Sequence, residues 1–136
     1  MKANELSCKD LMVGDWVRIK ITQHNTKVTN IDANSVYTEA AFPIRYDEIE
    51  PISLTPDILE KNGIKWLSTE PSGRRTYCCN KPVIHCTYFP NSGWLVCVGA
   101  CGSNKVRFVE ISKVQHVHQL QHALRLYGID DKEIIL

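Results

Sequence analysis

The stretch Val83-Ile84-His85-Cys86-Thr87-Tyr88-Phe89-Pro90-Asn91-Ser92-Gly93-Trp94-Leu95-Val96-Cys97-Val98-Gly99-Ala100 sets two runs of β-branched, aromatic and small apolar residues around Pro-Asn-Ser-Gly. Residues of that kind fit a pleated, half-buried surface, and the four between them are turn formers. The stretch therefore reads as an antiparallel hairpin of two strands, Val83–Phe89 and Trp94–Ala100. If the turn closes symmetrically, Phe89 faces Trp94, and stepping back along both strands sets Cys86 opposite Cys97. His85, next to Cys86 in sequence, then points to the other face.

Working outward, Trp66–Thr69, Thr76–Asn80 and Lys105–Ile111 are further strand candidates. They are separated by Pro71-Ser72-Gly73, Lys81-Pro82 and Gly102-Ser103-Asn104, and together the five strands make an antiparallel meander. Beyond them, Val114–Tyr127 has helical periodicity. Val114, Val117, Leu120, Leu124 and Tyr127 fall on one side, with Gln115, His118, His122 and Arg125 on the other, and Gly128 as the stop. Glu133–Leu136 is β-leaning and would add an edge strand or cover the core.

Ahead of the meander, Thr55 stands as an N-cap before Pro56 and Asp57, and Gly63 ends a two-turn helix over Pro56–Asn62. Its Ile58 and Leu59 are expected to tuck against the N-terminal segment. That segment carries short strand patterns at Trp16–Ile21, Lys27–Ile31 and Ser35–Glu39, the last two joined by Asp32-Ala33-Asn34, and a fourth at Phe42–Ile52. Val13-Gly14-Asp15-Trp16-Val17 is similar to the first strand of many SH3-like barrels. The expected fold is α+β and mainly antiparallel β: a small SH3-like barrel over 1–54, a short bridging helix over 55–63, and an antiparallel meander with one C-terminal helix over 64–136.

The 136 residues carry 16 basic and 15 acidic side chains, so whole-molecule charge selects no class of partner. No run approaches the roughly 18 apolar residues of a membrane span, and no signal-like start is seen. The expected location is cytoplasmic. In a reducing compartment Cys8, Cys78, Cys79, Cys86, Cys97 and Cys101 are expected as free thiols.

Two motifs carry a resemblance. They are Ile49-Glu50-Pro51-Ile52-Ser53-Leu54-Thr55-Pro56-Asp57-Ile58-Leu59-Glu60-Lys61-Asn62-Gly63, and Val117-His118-Gln119-Leu120-Gln121-His122-Ala123-Leu124 followed by Gly128. Both resemble a family of small uncharacterised proteins from Bacteroides-type bacteria and their phages or prophages. The resemblance implies a phage or mobile-element origin and a barrel-plus-meander fold. It implies no catalytic residue.

The constellations that could carry chemistry are sparse. His118 and His122 sit four apart on one helical face, but the residues between them lack the Glu of a His-Glu-x-x-His site, and Arg125 one turn on would repel a cation. Cys97-x-x-x-Cys101 and Cys78-Cys79 lack zinc-knuckle spacing, so no metal and no cofactor is expected. Cys86 and Cys97 read as packed thiols, and Asp47, Glu48 and Glu50 as a solvated strand edge. Neither a phosphate-cradling glycine loop nor a serine elbow occurs, and the protein is not expected to be an enzyme.

Charge distribution is more informative. Residues 64–107 hold Lys65, Arg74, Arg75, Lys81, Lys105 and Arg107 against Glu70 alone, interleaved with Trp66, Tyr77, Tyr88, Phe89 and Trp94. Two binding functions follow as expectations. The first is a binding or regulatory protein that recognises a protein partner through a free sheet edge or the helix face of Gln115, His118, His122 and Arg125. The second is a nucleic-acid or nucleotide-binding module using Arg74, Arg75, Lys81, Lys105 and Arg107. A free edge would also allow self-association across a two-fold axis.

Overall fold

The structure is a computed structural model. It describes residues 6–40, 42–80, 83–90, 92–102, 105–126, 129 and 133–136, with only the backbone described at 80, 83, 98–102 and 105–112. The chain divides into two compact units. One runs to Ser53 and takes in His116–His118; the other comprises Leu54–Gln115 and Gln119–Leu136.

The first unit contains β1 (Trp16–Ile19), β2 (His24–Ile31), β3 (Ser35–Thr38), β4 (Ile44–Arg45), a 3-10 turn over Tyr46–Glu48, and β5 (Ile49–Glu50). Its sheet order is β4-β3-β2-β1-β5. Val17, Val28, Val36, Ile44 and Ile49 form its core with Leu6 and Leu11. The expected closed barrel is not seen: among the described residues no ladder joins β4 to β5, so the sheet stays open. The long piece expected over Phe42–Ile52 is two dipeptide strands around the 3-10 turn, because the Tyr46-Asp47-Glu48 backbone turns and so breaks the ladder. Asp15, fully buried, accepts a 2.7 Å bond from Met12 N–H through its carboxylate, while its carbonyl accepts from Val28 N–H. The Gly14-Asp15 turn is thus locked on both sides.

The second unit begins with α1 (Pro56–Lys61). The Thr55 hydroxyl accepts from Ile58 N–H at the start, and at the end Gly63 N–H reaches Glu60 O and Ile64 N–H reaches Leu59 O. Those two bonds are a Schellman closure, so sequence signals at both ends are realised. Then follow β6 (Lys65–Thr69), β7 (Arg75–Asn80), β8 (Val83–Phe89), β9 (Gly93–Gly102) and β10 (Lys105–Val114), in sheet order β10-β9-β8-β7-β6 with every neighbour antiparallel. The meander is therefore present.

Its central register differs from the symmetric one. Phe89 pairs with Gly93 and Cys86 with Val96, while Cys97 pairs with His85. The cause is local. Gly93 adopts φ +88° and Ser92 N–H bonds to Phe89 O, so a three-residue loop, 90–92, followed by a left-handed glycine that opens β9, closes the hairpin. Shifting one strand by one residue exchanges which side chains share a face. Cys86 and Cys97 are therefore not cross-strand partners.

The C-terminal helix α2 spans Val117–Leu126, shorter than the periodic run because Val114 is the last residue of β10. Glu133–Leu136 forms no strand. Instead Asn62 takes the part of a paired backbone: its amide donates to Ile135 O at 2.7 Å, its carbonyl accepts from Ile135 N–H at 2.7 Å, and the amide also donates to Ile58 O. Ile134 beside it is buried. Replacing Asn62 by Ala removes all three bonds from a buried position and is expected to cost about 1–3 kcal/mol, read as a lower urea midpoint at unchanged slope. A loss below about 0.5 kcal/mol would mean that the tail is held by other contacts.

Candidate functional site: the edge and faces of the second sheet

Alternation along the central strands separates two faces. Tyr77, Ile84, Cys86, Trp94 and Val96 are buried, whereas Cys78, His85, Thr87, Leu95 and Cys97 are half-buried. On the buried face, Trp94 stacks edge-on to Tyr77 at 5.6 Å and tilts against Tyr88 at 5.1 Å, and its indole N–H donates to Leu54 O. This satisfies the indole polar atom, as burial requires.

Of the five predicted basic residues, the structure brings two together. Arg74 and Arg75 lie at the β6–β7 turn, where an ideal Cβ on Gly73, itself at φ +91°, would stand 3.1 Å from Pro90 Cγ, so that turn meets the β8–β9 turn. The Arg74 guanidinium pairs with Glu70 and lies over the Phe89 ring at 5.9 Å; Arg75 lies over Tyr88 at 5.1 Å. Lys105 opens β10, whereas the Arg74/Arg75 end of the sheet adjoins Val114, where β10 finishes. Arg107 is two residues along from Lys105, so the two pairs of cations occupy opposite ends of the strands. Lys81 lies outside the described residues.

The predicted helix face is also divided. His118 is buried rather than exposed, while His122 and Arg125 are half-buried and Gln115, ahead of the helix, is exposed. Val117, His118, Leu120, Gln121, Ala123 and Leu124 are all buried, an arc near 220° at 100° per residue. That is about twice the usual stripe of a surface helix, and it takes in His118, whose ring stacks on His116 at 5.8 Å. What remains toward solvent is a strip of Gln119, His122 and Leu126.

The acidic stretch Asp47, Glu48 and Glu50 of the first unit is matched to arginines. Glu50 accepts from Arg18 at 2.7 Å, and Asp47 and Glu48 both face Arg45. Hydrogen bonds from Arg18 and Arg45 hold the Glu50 and Asp47 carboxyls below their usual range. They are ionised salt-bridge partners, not groups tuned for proton transfer.

Two features escaped the sequence. One is β6. It lies at the edge of the sheet, pairs only with β7 among the described residues, and has all five residues exposed. A bulge between Trp66 and Ser68 re-aims the strand, leaving Trp66 54% and Leu67 55% exposed side by side. Apolar character alone does not mark Trp66 as exposed; its place on an edge strand does.

The other is a row of donors. His85 is the register partner of Cys78 on β7 and of Cys97 on β9, so its side chain lies between the two thiols on the half-buried face. Burial lowers the His85 pKa from its ordinary value, because it penalises the charged imidazolium. Among the described residues, no three His, Cys, Asp or Glu side chains converge to hold one metal ion. The five cysteines whose side chains are described form no disulfide, and no described helix is long and apolar enough to cross a membrane.

Comparison with protein-family models, with curated proteins and with solved structures returns no match for this chain.

Cys86 provides a direct check on the assignment of faces. Burial, with smaller contributions from Cys79 and Cys97, pushes its thiol from 9.0 up to about 12. Below pH 9 folded and unfolded chains both hold the proton; above it the unfolded thiol ionises first, so this contribution to stability is lost as pH rises from 9 toward 12. At pH 8 a thiol reagent is expected to label exposed Cys8 rapidly and Cys86 only through unfolding. Equal labelling rates at the two positions would contradict the burial.

Proposed function

We propose that the protein is a non-enzymatic binding or regulatory protein that docks a partner protein on the β6 edge. The observation that carries this reading is the pair Trp66 and Leu67, adjacent, each more than half exposed, on a strand with no outer neighbour among the described residues. Tryptophan in such a position is a characteristic anchor of protein interfaces. The bulge at Leu67 discourages simple strand addition, so side-chain anchors rather than a long backbone ladder would carry the affinity. With Lys65 exposed on the same strand and Arg75 on the neighbouring β7, an extended segment combining an apolar anchor with carboxylates is the complementary partner.

The nucleic-acid reading has less support. Base stacking needs open aromatic faces, yet Phe89 and Tyr88 already carry Arg74 and Arg75, and Arg74 is neutralised by Glu70. For the first unit, the order β4-β3-β2-β1-β5 and the 3-10 turn before β5 support reading it as an SH3-like small barrel left open on one side. A phage or mobile-element origin accords with the sequence resemblance.

Selection from a displayed library of random peptides against the intact protein tests the edge. Acidic sequences with an apolar anchor are expected, with binding weakened about tenfold or more by Trp66→Ala or Leu67→Asp and with slower amide exchange across β6. Binders indifferent to both substitutions would overturn the reading. So would capture of oligonucleotides that is lost as salt rises and abolished by charge reversal at Arg74 and Arg75.

A further inference from the structure

The structure assigns to the half-buried face of the second sheet a binding site for a soft monovalent d10 cation of the Cu(I) class, held by His85 and one of its two flanking thiols, Cys78 or Cys97. The site goes beyond the docking edge and uses none of its side chains.

The argument begins with the register. Cys78, His85 and Cys97 are consecutive partners across β7, β8 and β9. Directly opposed side chains in antiparallel strands have Cβ atoms about 4.5–5.5 Å apart. A two-coordinate ion bound by one nitrogen and one sulfur spans about 4 Å, given metal–donor bonds near 2.0–2.3 Å. Neighbouring imidazole and thiol groups match that span. Cys78 and Cys97, by contrast, are two strand spacings apart, roughly 10 Å, which is too far for a disulfide without backbone movement.

The donor set then selects the ion. Zinc in a structural site takes four ligands, and no three of the described donors converge. Thiolate and imidazole together suit soft or borderline metals, and thiolate favours Cu(I). Charge points the same way: one thiolate and one neutral imidazole around a monovalent cation give a neutral unit, whereas a divalent ion would leave a net positive charge on a half-buried face. On binding, the ligating cysteine gives its proton to solvent, the metal–sulfur and metal–nitrogen bonds form, and no electron is transferred.

The face is suited to such an ion. Cys78, His85 and Cys97 are half-buried, while their strand neighbours Tyr77, Cys86 and Val96 are buried. A small ion can reach the row, and the sheet holds its three members in fixed register.

The test is anaerobic titration of the reduced, full-length protein with Cu(I) against a chromogenic chelator, with Ag(I) as a redox-inert second probe. One equivalent is expected to resist the chelator. His85→Ala, and separately the double variant Cys78→Ser/Cys97→Ser, should each weaken retention by about tenfold or more, while Cys8→Ser leaves it unchanged. X-ray absorption on the wild-type complex should show one sulfur and one nitrogen at the metal. Failure of the wild type to retain an ion would overturn the assignment. So would undiminished retention by variants with native circular dichroism, or a sulfur-only coordination shell. If a variant fails to fold, the wild-type absorption spectrum decides.

Discussion

The left-handed conformation of Gly93 closes the β8–β9 hairpin, and the organisation of the second sheet depends on it. A residue at φ +88° is strained for any side chain other than glycine. With Gly93 there, the loop holds three residues and Phe89 is set opposite Gly93. Because side chains alternate with period two, that single choice fixes which members of β8 and β9 share a face. The ladder to β7 then inherits the same two faces.

From that register the chemistry of the sheet divides. The buried side receives the rings of Tyr77 and Trp94 and the thiol of Cys86, and Trp94 is tied to Leu54 O. The opposite side receives Cys78, His85 and Cys97. The turns reinforce the arrangement at one end, where Gly73 comes close to Pro90 and the two neighbouring arginines lie over Phe89 and Tyr88. These cation–aromatic contacts hold both groups in place, and among the described residues the outer strand leaves Trp66 and Leu67 exposed.

Much of the fold was legible in the sequence, where local chemistry is decisive. Thr55, Pro56 and Gly63 fixed both ends of α1 through capping bonds that do not depend on distant contacts. The strands of the meander followed from runs of β-forming residues punctuated by turn formers. The hairpin register did not follow, because Pro90-Asn91-Ser92-Gly93 suits loops of either three or four residues, and the difference lies in whether glycine belongs to the loop or to the strand. His118 was misplaced because a helical pattern records hydrophobicity, whereas α2 buries polar His118 and Gln121 beside its apolar stripe. Trp66 was equally illegible: apolar character marks a candidate for the core, and only sheet order reveals an edge. The His85 row was hidden by the same one-residue ambiguity that hid the register.

The most direct test of this account is solution NMR of the β8–β9 ladder, reading cross-strand contacts between backbone protons. The structure predicts contacts pairing Cys86 with Val96 and His85 with Cys97. Contacts pairing Cys86 with Cys97 and Phe89 with Trp94 would show a symmetric four-residue turn. They would return Cys97 to the face of Cys86 and remove His85 from its place beside Cys97.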